Sequence, residues 1–128
     1  MTTTDPAIET VDLAKRYKGT LALAGLTMRV ERGEVFGFLG PNGAGKSTTV
    51  KLLLGLARPT GGGGRVLGAP IGDREARRRI GYLPELFRYQ AWMTAREVLA
   101  LHCELARLPR PTWGEEIDAG LRLVGLAE

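Results

Sequence analysis

The sharpest change in pattern along this chain falls between residues 35 and 56. Val35, Phe36, Gly37, Phe38 and Leu39 form an apolar run with no polar alternation, the pattern of a parallel strand buried on both faces. A glycine-rich stretch follows, and then helical character over residues 49–56, with Val50, Leu53 and Leu54 expected on one face. Upstream, residues 8–13 and 21–30 read as paired strands carrying Tyr17 between them. Downstream, residues 59–64 predict a flexible turn, 65–67 a short strand, 73–79 a helix and 80–83 another strand. Thr94 and Glu97 have capping-box spacing and open a helix with Val98, Leu101, Leu105 and Leu108 on one stripe, ended by Pro109 and Pro111. Thr112 and Glu115 repeat that spacing ahead of a helix expected to turn Ile117, Leu121 and Val124 inward. No internal repeat is visible.

The glycine-rich stretch is Gly40-Pro41-Asn42-Gly43-Ala44-Gly45-Lys46-Ser47-Thr48, which meets G-x-x-x-x-G-K-[ST] at every fixed position. Backbone N–H groups hold a polyphosphate best when no side chain blocks their approach. Gly40, Gly43 and Gly45 remove that obstacle and permit positive φ. Lys46 offers a point charge to the β- and γ-phosphates, and Ser47 a hydroxyl to Mg²⁺. The helix beginning here adds the positive end of its dipole, roughly half an elementary charge. The glycine spacing fails the dinucleotide fingerprint G-x-G-x-x-G, which disfavours a Rossmann domain. Strand, glycine loop and helix are the setting a phosphate-binding loop requires.

With these flanks the chain resembles the nucleotide-binding domain of an ATP-binding cassette (ABC) transporter. The likeness runs from about Ile8 to the end of the chain. It rests on the lead-in from Leu23 to Glu34, on Pro41, Asn42, Gly43 and Ala44 in the variable positions of the loop, and on Leu54 through Gly61 after it. The resemblance implies an α/β fold: a P-loop NTPase core with an antiparallel β-subdomain and the start of a helical subdomain, truncated. Residues 1–128 would then be a partial nucleotide-binding domain, with the β-subdomain and loop core over about 8–86 and the helical subdomain beginning at about 87.

The same likeness assigns residues. Tyr17 stands where the family places an aromatic ring against adenine; such stacking is worth about 1–3 kcal/mol in nucleic-acid systems. The nucleotide would be held by Tyr17, Gly40, Pro41, Asn42, Gly43, Ala44, Gly45, Lys46, Ser47 and Thr48, with Lys46 and Glu85 as the catalytic residues. Ile80-Gly81-Tyr82-Leu83-Pro84-Glu85 resembles the family's Q-loop, with Glu85 where a glutamine is usual. An ionised carboxylate can join Ser47 on Mg²⁺ but cannot donate a hydrogen bond as an amide does. Gln90 is a weaker candidate for the same role. The Tyr-Leu-Pro-Glu form is similar to that of cassettes paired with exporter-type membrane subunits. The family's remaining motifs are not found: its signature loop needs a serine, and Ser47 is the only one. A Walker B strand needs an aspartate after an apolar run, which Asp5, Asp12, Asp73 and Asp118 all lack. His102 precedes any position for the switch histidine and reads as a structural or surface residue.

Composition narrows this picture little. The chain has 128 residues, enough for one domain. A single cysteine, Cys103, excludes an internal disulfide, fits a reducing cytosol and reads as a helix packing residue. No basic segment with an apolar core opens the chain, and no 18 apolar residues run together, so neither a signal peptide nor a membrane span is expected. The resemblance therefore implies a cytoplasmic ATPase subunit, peripheral on the inner face of the membrane. Its partners would be ATP, Mg²⁺, a separate transmembrane permease and a second nucleotide-binding domain. Alternatives are a non-catalytic interaction fragment and a non-transport cassette acting on nucleic acid. The net charge of +4 and the cluster Arg74, Arg77, Arg78 and Arg79 bear on the latter. No aromatics interleave with these arginines, so a solvated helix face is the simpler reading and nucleic acid is disfavoured. Phe87, Tyr89 and Trp92 read either as a partner surface or as packing between lobes.

Overall fold

The computed structural model describes residues 5–127. They divide into two compact units, one reaching Gly81 and one beginning at Tyr82.

The first unit is built on a four-stranded antiparallel sheet. Strands β1 (Ile8–Tyr17) and β2 (Thr20–Val30) form a hairpin, flanked on the other side of β1 by β3 (Gly61–Val66) and then β4 (Ala69–Pro70). The hairpin closes through Lys18 and Gly19 at φ 40° and 90°, the paired positive values of a two-residue turn matched to strand twist. Tyr17 pairs with Thr20 and Ile8 with Val30, but the register slips between Thr10 and Leu13. Buried Thr10 spans that slip: its hydroxyl donates to the Leu26 carbonyl at 2.9 Å and accepts from the Met28 N–H at 3.1 Å. Helix α1 (Lys46–Leu53) packs its buried Thr49 and Leu52 inward, and Leu13, Leu23 and Leu52 make the core, with Leu26, Ala57 and Ile71 against it. A short α2 (Arg74–Arg77) is capped by the Asp73 carboxylate, which accepts from the Ala76 N–H at 2.8 Å.

Several expectations from the sequence fail here for identifiable reasons. Residues 35–39 form no strand; Val35 is fully exposed and Leu39 92% exposed. An apolar run becomes a strand only when neighbours supply hydrogen bonds and cover its faces, and no described strand lies beside this one. Residues 80–83 are irregular for the same reason. The glycines expected to form a flexible turn instead pair with β1, Gly64 opposite Thr10 and Gly63 opposite Val11. They succeed because they are bare: a Cβ on Gly64 would lie 2.6 Å from the Glu9 carbonyl oxygen. The helix expected over 73–79 shrinks to one turn, and the inward face of α1 is set by Thr49 and Leu52 rather than by Val50, Leu53 and Leu54.

The second unit is a helix pair, α3 (Ala95–Leu105) and α4 (Trp113–Leu123), joined through a 3₁₀ turn over Arg110–Thr112. The capping box opening α3 is present: the Thr94 hydroxyl accepts from the Glu97 N–H, and the Glu97 carboxylate accepts from the Thr94 N–H at 2.7 Å. The backbone hydrogen bond, then the Thr94 hydroxyl, holds the Glu97 carboxyl below its ordinary value. Thr112 makes no such cap. It already has helical backbone angles after the 3₁₀ turn, and its hydroxyl donates backward to the Pro109 carbonyl at 2.8 Å. Cys103, Ile117 and Leu121 form the core with Leu99, Ala100 and Trp113 packed on it. The stripe expected at Leu101 and Leu105 is exposed, and so is Val124 beyond the end of α4. Trp113 bridges the turn: its indole N–H donates to the Leu108 carbonyl at 3.0 Å and Arg110 lies 4.6 Å from its ring centroid. An Arg96–Asp118 ion pair at 2.7 Å crosses between the helices, and His102 is exposed on α3.

Candidate phosphate-binding site

The start of α1 and the end of the hairpin enclose an open cleft of about 480 Å³. One wall is Thr20, Leu21 and Ala22 of β2; the other is Asn42, Gly43, Gly45, Lys46, Ser47 and Thr48. The loop owes its shape to two glycines. Gly43 and Gly45 adopt φ of 86° and 95°, which residues with a Cβ take only under strain. Gly40 does not enter the left-handed region; its bareness serves close approach, since a Cβ there would sit 3.4 Å from that of Ala44. The Ala44 N–H donates to the Pro41 carbonyl at 3.2 Å and turns the chain toward Gly45, which caps α1.

The electrostatics of this end are one-sided. Lys46, Ser47 and Thr48 occupy the first turn of α1, where N–H groups have no intrahelical partner; the ladder begins with the Thr49 N–H on the Gly45 carbonyl at 2.8 Å. No acidic residue stands in that turn to compete for them. The Lys46 ammonium folds back to donate to the Gly40 carbonyl, which holds its charge over the loop. Ser47 is exposed, whereas the Thr49 hydroxyl is buried and donates to the Gly45 carbonyl at 2.8 Å. Free N–H groups, a helix start and an ammonium are the chemistry of an anion site, and they fit a polyphosphate. Ser47 would offer Mg²⁺ a hydroxyl ligand. Among the described residues no group of three His, Cys, Asp or Glu side chains gathers to hold a metal.

Tyr17 ends β1, is 45% exposed and does not line the cleft, although its pairing partner Thr20 does. Pro41 and Ala44 are exposed and do not line the cleft. Glu85 and Gln90 belong to the second unit, both exposed in an irregular segment. Phe87 and Tyr89 pack on each other with ring centroids 4.3 Å apart, while Trp92 is exposed. In the arginine cluster, Arg78 pairs with Glu75 at 3.0 Å. Sequence reasoning missed the β2 wall. Its only local trace is Gly45, where a Cβ would lie 2.8 Å from the Ala22 carbonyl oxygen.

A family model described as ABC transporter matches residues 23–128, and the chain belongs to that family. An uncharacterized ABC transporter ATP-binding protein of Nostoc sp. is 42% identical over 131 residues, covering 97% of this chain and 39% of the relative. A methionine import ATP-binding protein of Paraburkholderia xenovorans is 40% identical, covering 98% and 36%, and a bacitracin transport ATP-binding protein of Bacillus licheniformis is 38% identical, covering 93% and 39%. A solved structure of the ATP-binding subunit of an ABC transporter superposes with a TM-score of 0.80 at 32% identity, over 94% of this chain and 51% of that one. The fold is thus that of an ABC cassette, and the chain spans about two fifths of the length of these curated relatives. No helix among the described residues is long and apolar enough to cross a membrane.

Proposed function

We propose that this chain supplies the ATP-holding part of an ABC transport ATPase subunit, in which Mg-ATP binding powers export through a separate membrane subunit. The observation that carries the reading is the cleft at the start of α1, where bare backbone N–H groups, the helix dipole and Lys46 converge. The backbone from Gly40 through Gly45 cradles the phosphates with Lys46 and Thr48, Ser47 gives its hydroxyl to Mg²⁺, Tyr17 stacks on adenine, and Glu85 serves the γ-phosphate side. Bound Mg²⁺ would supply charge neutralisation between the phosphates. This chain's own share is binding and orientation rather than turnover. No aspartate among the described residues follows an apolar run as a Walker B strand requires, so the metal and the attacking water are incompletely held and hydrolysis by these residues alone stays near background.

In the working assembly a second cassette closes over the nucleotide and a permease transmits that closure, which puts the subunit on the cytoplasmic face of the membrane. The Tyr82-Leu83-Pro84-Glu85 stretch supports export, while relatives are named for import as well as for other transport. Titration calorimetry with Mg-ATP tests the site. Lys46→Ala should weaken binding about tenfold to a hundredfold, the worth of a hydrogen bond to a charged group. An affinity unchanged by that substitution would remove the role given to Lys46.

A further inference from the structure

We infer that Lys15 is a positioning residue for the purine base, holding the Tyr17 ring as a one-sided platform at the rim of the cleft. The inference rests on the reading above that ATP enters this cleft. The Lys15 ammonium lies 4.8 Å from the Tyr17 ring centroid, inside the range where a cation is attracted to a ring face. It is not a free tail. The same ammonium donates to the Arg58 carbonyl at 2.6 Å. That carbonyl belongs to a segment itself tied to β1: the Thr60 N–H donates to the Ala14 carbonyl, and the Arg16 N–H to the Thr60 hydroxyl, both at 2.9 Å. Backbone geometry therefore sets where the charge sits.

Two consequences follow for the ring. One face is occupied by a tethered cation, so the stacking surface assigned to a planar ligand is the face opposite, on a residue that is 45% exposed overall. The cation also draws π density toward itself, which lessens the repulsion between the opposite face and an electron-rich purine. Position completes the argument. Tyr17 pairs with Thr20, and residues so paired lie about 4.5–5.5 Å apart at Cα. Thr20 lines the cleft, so the platform stands one strand's width from its wall, within reach of a base whose phosphates lie on the loop.

The test is calorimetric titration of the full chain and its variants with Mg-ATP and, in parallel, with inorganic tripolyphosphate. Lys15→Met should weaken ATP binding about two- to fivefold, the fold equivalent of an exposed cation–π contact, and leave tripolyphosphate affinity unchanged. Lys15→Arg should restore ATP affinity to within about twofold of the parent, since a guanidinium also serves a ring face. Equal loss for both ligands in Lys15→Met would show that the charge acts on phosphate and overturn the inference. So would loss in Lys15→Arg as large as in Lys15→Met. Tyr17→Ala separates the two readings. If it weakens ATP binding while Lys15→Met does not, the Lys15 role fails and the base platform stands. If Tyr17→Ala also leaves ATP affinity intact, the platform fails, and Lys15 with it.

Discussion

The two units of this chain are stabilised on different terms. In the sheet unit, Leu13, Leu23 and Leu52 come from three elements, the two strands of the β1–β2 hairpin and α1, and two of these, β2 and α1, also wall the cleft. Core and candidate site are there one structure. In the helix unit, Cys103, Ile117 and Leu121 come from two neighbouring helices, and the groove over them is apolar, lined by residues such as Met93, Val98, Leu99 and Leu121. A defect in the first should reach the ligand site; a defect in the second should stay local.

The strongest test of that contrast truncates each core. Leu52→Ala and Ile117→Ala should each destabilise their own unit by about 2–5 kcal/mol, read from urea melts. Mg-ATP binding should fall with Leu52→Ala and persist with Ile117→Ala; equal losses would dissolve the contrast. A gentler probe is Thr94→Ala, which deletes the hydroxyl half of the α3 capping box. It should cost about 1 kcal/mol, confined to the helix unit and visible as a lower helical melt. Smallest of all is an acid effect at Glu97. Its folded carboxyl is held below the ordinary value of 4.5. The stabilisation it gives is therefore complete above that value and disappears as pH falls through the lowered one. Melting of the parent should decline over that acid window, and Glu97→Gln, which carries no titrating carboxyl, should show a flatter decline.

What could be seen beforehand was whatever the chain writes locally. A helix directly after the glycine loop follows from glycine chemistry within nine residues, although it spans Lys46–Leu53 rather than the expected 49–56, and the α3 cap follows from a four-residue spacing. Ile117 and Leu121 were legible as the inner face of α4 because helical period fixes their phase once one of them is buried. The failures share a cause: they depend on a partner. Residues 35–39 are as apolar as any strand, yet hydrogen-bonding neighbours make a strand, and composition does not name them. The glycines of β3 look like a turn because propensity favours one, but pairing with β1 overrides it. On α3 the inward face is chosen by α4, which selects Leu99 and Cys103 over Leu101 and Leu105. The β2 wall of the cleft was invisible because its residues are ordinary strand residues, brought there by the fold.

Gly45 carries one more implication. It caps α1 while leaving no room for even a methyl group between itself and the Ala22 carbonyl oxygen. The loop and β2 are thereby in van der Waals register at this point, so one wall of the cleft is set against the other as the chain folds. The freedom surrendered in shaping it is lost when the chain folds, which lowers the entropic toll of each later binding event. A side chain at this position would have to push the β2 backbone aside, so the cap of the helix and the wall of the cleft depend on the same missing methyl group.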